Sequence, residues 1–217
     1  MTINAWRTWT AYPGHSDVLH SPWRNKTSRN TPFAVWQKAT KHAECAINIR
    51  NETLFPDRVH PVPGEKCNCG IGVIPEFSDV MRRFEVFSFM NNKKPPERNI
   101  FPIRPVIAIG RVQAFGRIHD IGHKQAMNMD VPELRVESAC IRELWLPAPP
   151  SAALAELAAS FRARYRVAVH CGLPDPPNGH TEIDGETRAV VERLRADIRD
   201  APSSNVPVPP EGWGNEQ

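Results

Sequence analysis

Four side chains in this sequence have the types and spacing of a metal site: Cys45, His60, Cys67 and Cys69. Thiolates and imidazoles are the donors zinc prefers, and a structural zinc takes four of them in a tetrahedron. The one-residue gap between Cys67 and Cys69 is narrower than the usual gap of about two to four residues. A turn there still lets both thiolates face one ion, and Gly70 lets backbone amides approach the sulfurs. His42 stands in reserve, three residues before Cys45. The chemistry expected of this set is a closed, structural zinc site that fastens a proline-rich loop. A second reading leaves the same residues as free cysteines in that loop. A third makes Cys67 and Cys69 an exchanging dithiol, which requires an exposed thiolate of lowered pKa.

Other constellations are weaker, and no catalytic residue is nominated. An open, hydrolytic zinc needs a general acid or base beside it. Glu44, Asp57 and Glu65 are close in sequence, but no H-E-x-x-H motif selects one of them. His170 and Cys171 adjoin, and adjacent side chains diverge on an extended backbone. Cys140 reads as a small apolar residue within a strand. No G-x-S-x-G elbow or phosphate-cradling glycine loop is present.

The elements that must hold the donors follow from periodicity. Phe33, Trp36, Thr40, Ala43 and Ile47 recur at helical spacing, with Thr31 as a cap and Pro32 in the first turn. That predicts a short helix over 33–49, carrying Cys45. Residues 50–66 read as loop, and 71–74 as a strand leaving the C-x-C turn. The stretch 84–89 alternates in part and predicts another strand. Residues 106–118 form the strongest strand pattern, with Gly110 and Gly116 marking bulges or bends. A connection over 119–132 then leads to one or two strands in 133–146. Beyond the prolines at 147–150, Leu154, Leu157, Ala158, Phe161 and Tyr165 follow helical spacing behind Ser151. Val190, Val191, Leu194 and Ile198 repeat it behind Asp184.

The expected fold class is therefore α+β: a bent antiparallel or barrel-like sheet with a Cys/His-rich loop and two C-terminal helices packed on it. The expected divisions are an irregular aromatic arm over 1–32, the loop and sheet core over 33–150, the helical part over 151–200, and a disordered tail over 201–217. The chain has 22 prolines in 217 residues, about twice the usual share, so long helices are disfavoured over most of it.

Two surfaces suggest partners. Trp6, Trp9 and Trp23 in the first segment would form an aromatic docking surface for a protein, since Trp is favoured at interface centres. Arg111, Phe115 and Arg117, joined by Arg135, would line an open strand face where charge tracks a nucleic-acid backbone and an aromatic stacks on bases. The net charge of +3 neither demands nor excludes nucleic acid. No apolar run is long enough for a transmembrane span, and the first residues lack a signal-peptide pattern, so a cytoplasmic setting is expected.

Several of these pieces resemble a group of uncharacterised actinobacterial and actinophage proteins. The shared pattern is A-x-C, then H-x-P, then C-x-C-G-I, then a sheet segment with paired glycines. Here it reads AEC at Ala43–Cys45, HPVP at His60–Pro63, CNCGI at Cys67–Ile71 and GRVQAFGRI at Gly110–Ile118. The similarity covers about half the chain, from Cys45 to Leu146. It implies a shared core and a phage or actinobacterial source, hence a host cytoplasm, and it carries no activity. The expected function is a non-catalytic accessory or regulatory protein, phage-encoded, that binds a host protein. The alternative is a nucleic-acid-binding regulator, and the third is a zinc- or thiol-dependent enzyme.

Overall fold

The computed structural model of the protein describes residues 1–22, 35–45, 48, 59–65, 67, 69–93, 96, 99–126, 129–176 and 185–200. In chain order these contain β1 (Thr2–Ala11), β2 (Leu19–His20), β3 (Val35–Trp36), β4 (Thr40–His42), β5 (Ile71–Val73), α1 (Phe77–Lys93), β6 (Val106–Ala126), β7 (Met129–Leu146), α2 (Ala152–Tyr165), β8 (Ala168–Cys171) and α3 (Gly185–Asp200). The described strands join one sheet in the order β3-β2-β1-β6-β7-β4, with β5 and β8 also paired to β7. All pairings are antiparallel except β7 with β8, so the sheet is mixed.

The β6–β7 hairpin is the spine. Its register slips three times, near Arg111/Val112, Phe115/Ile118 and Asp120/His123. Each slip adds a bulge, and bulges sharpen strand bending and twist. Gly116 sits in the second of these with φ +83°, a conformation that side chains resist. The bent sheet curls until β1 meets the residue after β5. Trp6 and Ile74 exchange both backbone hydrogen bonds, at 2.7 and 2.8 Å, which makes the sheet barrel-like.

Alternation decides what each face buries. Val106, Ala108, Val112 and Ala114 of β6 point with Ala5, Trp9 and Ala11 of β1 into one core, which α2 covers through Leu154, Leu157, Ala158, Phe161 and Tyr165. Ile107 and Ile109 point the other way with Trp6, into a second core under α1 and α3. Each such buried side chain is worth about 1.5–3 kcal/mol. Ser151 caps α2 by accepting a hydrogen bond from the Leu154 amide at 3.1 Å. The α+β class, the bent sheet and the two C-terminal helices follow the sequence pattern.

Four local expectations are corrected. Residues 84–89 are not a strand but part of α1. The stripe Phe77, Val80, Met81, Phe84 and Phe87 is buried at helical spacing, and a six-residue window starting at Phe84 hides it. The described part of 33–49 holds the short strands β3 and β4 in place of a helix. There Trp36 packs edge-on against Trp9 at 5.2 Å, a tertiary contact that overrides a stripe weakened by Thr40 and Ala43. The connection expected over 119–132 is instead strand on both sides, paired as far as Ala126 with Met129. The irregular arm is replaced by β1, which pairs with β6 along its whole length and lies inside the sheet. Trp23, Thr31, Pro32, Asp184 and the tail over 201–217 lie outside the described residues.

Candidate metal centre

Two strands bring the donors together, and both hang on the same edge of β7. β4 pairs with Ser138–Cys140 and β5 with Leu134–Val136, so the two lie end to end. Beyond β4, the Ala43 amide still donates to the Glu137 carbonyl at 2.7 Å, which delivers Cys45 close to the sheet. Cys67 and Cys69 immediately precede β5. His60 comes to the same place, within reach of the three thiols.

Cys45, His60, Cys67 and Cys69 form a cluster capable of coordinating a metal ion, with their donor atoms all within 4.8 Å of one another. Cys45 Sγ lies 3.8 Å from Cys67 Sγ and 3.4 Å from His60 Nε2. A disulfide needs about 2.05 Å between sulfurs, and the three thiols are free. Cys45 is buried and the other three are half-buried.

The surroundings aim the donors. Asn48 clamps His60 from both sides: its Nδ2 donates to the His60 carbonyl at 2.6 Å, and its Oδ1 accepts from the His60 amide at 3.1 Å. His60 Nδ1, 2.8 Å from the Pro61 carbonyl, donates to it in the tautomer that leaves the Nε2 lone pair for the cluster. The Gly64 amide donates to Cys69 Sγ at 3.3 Å. A side chain at Gly64 would put its Cβ 2.5 Å from His60 Nδ1, so glycine is required there by contact alone. Burial pushes the Cys69 thiol up to about 11, with the Cys67 hydrogen bond and the charges of Cys45 and Cys67 adding to it and the Gly64 amide opposing. The Cys69 thiol therefore holds its proton until a cation replaces it.

A groove of about 710 Å³ lies against the cluster, lined by His60, Pro61, Pro63, Arg117, Ile118 and His119 among others. Sequence reasoning assigned Arg117 to a nucleic-acid face with Arg111 and Phe115, and the bulge at Gly116 lies between those two and Arg117. Arg111 pairs with Glu143 at 3.4 Å, and Phe115 stands edge-on to His42 at 6.4 Å. The fourth member, Arg135, ion-pairs with Glu133 and is absent from that face. Trp6 and Trp9 are buried, at 5% and 0% exposure, so neither offers a docking surface. Their alternation places them in the two cores on opposite faces of β1. His42 is drawn away from the donor cluster by Ser138 Oγ at 2.7 Å. His170 stacks on Trp145 and meets Glu143 at 2.9 Å, while Cys171 is exposed outside the cluster.

Sequence reasoning missed a buried ionic network. Arg83 of α1 pairs with Glu133 of β7 at 2.6 Å, and Arg135 pairs with the same carboxylate at 2.8 Å. Arg7 of β1 donates to the Gly72 carbonyl and lies near the rings of Trp9 and Trp36. Burial lowers the Arg7 guanidinium to about 10, with Glu133 opposing and Arg135 and Arg83 adding to the fall. The available signal was a charge inside WRTW, on a strand otherwise built of aromatic and small residues.

Among the described residues no helix is long and apolar enough to cross a membrane. The chain matches no family model, and no curated protein or solved structure is significantly similar to it.

Proposed function

We propose that this chain is a non-catalytic accessory protein that binds another protein, with a structural zinc at Cys45, His60, Cys67 and Cys69 keeping its binding surface in shape. The donor spacing carries this reading. Around a tetrahedral zinc with Zn–S of about 2.3 Å, two sulfurs stand about 3.8 Å apart, and a sulfur and an imidazole nitrogen about 3.5 Å apart. The separations of 3.8 Å for Cys45–Cys67 and 3.4 Å for Cys45–His60 fit those edges. Three thiolates and one imidazole complete a closed shell, the form of structural rather than catalytic zinc. When bound, zinc would cross-link the segments flanking β4 and β5.

The groove beside the cluster supports the binding role. It sets Pro61, Pro63 and Ile118 beside Arg117 and His119, an apolar floor with charge at its side. Interfaces between proteins combine such a centre with a polar rim. The test is affinity capture on native protein and on Arg117→Glu, with zinc content measured in both. A discrete partner kept by the native chain and lost by the variant at equal zinc content is expected. Equal capture by both would remove the groove from the reading. Turnover of an ester, phosphoester or peptide that stops on chelation and returns with zinc would replace the non-catalytic role.

A further inference from the structure

We propose that the cavity walled by Arg7, Lys41, Arg83 and Arg135 binds a phosphate-type oxyanion, either free phosphate or the phosphoryl head of a monoester. The site is separate from the thiol cluster and does not depend on how that cluster is read.

The first argument is charge. The cavity lies among β1, β5, β7 and α1, and four cationic side chains line it with one carboxylate, Glu133. That carboxylate is already shared by Arg83 at 2.6 Å and Arg135 at 2.8 Å. Arg7, Arg83 and Arg135 leave two positive charges beyond that carboxylate, and Lys41, whose Nζ donates to the Val35 carbonyl at 2.9 Å, stands beside them. The Arg83 and Glu133 side chains are only 7% and 8% exposed, so solvent screens this surplus poorly. Leaving buried charge uncompensated is costly, and a bound anion is the direct compensation.

The second argument is hydrogen bonding. The Nε atoms of Arg7, Arg83 and Arg135 are all buried and have no partner among the described residues. Buried donors are normally satisfied, and each orphan costs about 1–3 kcal/mol. Three orphans on the arginines of one cavity are best met by one shared acceptor. Water would answer the N–H groups but not the charge. A phosphate answers both, because its oxygens accept from several guanidinium forks at once. Arg7 is also held in place, with its guanidinium 5.7 Å from the Trp9 ring centre and 5.6 Å from that of Trp36.

The third argument is size. The cavity holds about 120 Å³, well under the roughly 300–1,000 Å³ of sites that enclose drug-sized ligands. It admits a phosphoryl group and leaves any larger part of the ligand outside.

The test is calorimetric titration of the full zinc-loaded chain, in phosphate-free buffer at fixed ionic strength, with inorganic phosphate, phosphoethanolamine and acetate. Saturable one-site binding of phosphate is expected, with a Kd below about 1 mM and at least about tenfold tighter than acetate. Arg7→Gln and Lys41→Met should each weaken it about tenfold or more. Lys41 is half-buried and its change removes a bond to the Val35 carbonyl, so Lys41→Met is expected to fold and decides the matter if Arg7→Gln does not. Binding of both phosphate compounds supports a site for the free ion, and binding of phosphoethanolamine alone supports a phosphoryl head on a larger ligand. The proposal is overturned by no saturable binding of either up to about 10 mM, by acetate binding as tightly, or by phosphate binding that survives Lys41→Met.

Discussion

Cys45, His60, Cys67 and Cys69 meet in loops, whereas Arg7, Arg83 and Arg135 stand on two strands and a helix. Residues 67 and 69, just before β5, belong to the first group, and the wall of the second includes Gly70, Ile71 and Gly72. Deprotonated, the loop cluster gathers negative charge and calls for a cation. The arginine cavity gathers positive charge and calls for an anion. Their mountings differ as much as their signs. The Cys69 thiol can keep its proton until metal arrives. Guanidinium groups on paired strands have no such neutral form near pH 7, so the charge of the cavity is fixed by the fold. A site built of thiols can defer its electrostatic cost, and one built of guanidinium groups must carry it or bind something that offsets it.

The largest effect is expected at the loop site. The double change Cys67→Ser with Cys69→Ser should take bound zinc from about one per chain to none. It should also lower stability in urea by at least about 4 kcal/mol, since structural zinc contributes folding energy directly. An unchanged midpoint would mean that these loops hold themselves, and the contrast in mounting would vanish. In the rigid site, Arg83→Met should cost about 3 kcal/mol, because it strips Glu133 of one of its two buried partners. Adding Glu133→Leu should lower stability further in the same unfolding measurement, because Arg135 then loses its carboxylate as well. A double variant more stable than the single would show that Arg135 does not depend on Glu133.

A smaller effect is expected where the two regions adjoin. A Cβ at Gly72 would press on Glu133 Oε1, so Gly72→Ala should cost about 1–3 kcal/mol through overpacking. Zinc content should stay the same, and its loss by elemental analysis would show that the two regions move as one. The smallest effect is expected at the exposed pair of Arg111 with Glu143, where Arg111→Ala should change thermal stability by less than about 0.5 kcal/mol.

The same contrast explains what could be read from the chain before its structure. The donor cluster is legible because cysteine is scarce and Cys45, Cys67 and Cys69 fall in one segment. The arginine cavity is illegible because arginine is common and its members are distant in sequence. Only the closure of β1 on the residue after β5, and the pairing of β5 with β7, brings Arg7 near Arg135. Face assignments on β6 hold through Phe115 because alternation is a local property, and they fail beyond Gly116 because a bulge shifts the phase. On β7, Arg135 lies opposite His119 whereas Glu143 lies opposite Arg111, so the two arginines are apart along the hairpin. Trp6 and Trp9 look like surface aromatics in a segment with no obvious local partner. Their partners are supplied by Ile74 and Phe77 on one side and Trp36 on the other.

The pairing of β1 also bears on how the chain is made. Thr2 faces Phe115 and Ala11 faces Val106, so β1 leaves the ribosome before any residue of its main partner exists. At about 5–20 residues per second, it waits roughly 5–20 s for the matching stretch of β6. During that time Trp6, Trp9 and an unpaired backbone are open to any other nascent strand. Arg7 is then a charge set between two tryptophans, the kind of interruption that discourages strand-to-strand association. Replacing it with leucine should show in newly synthesised chains first, as aggregate formed during translation.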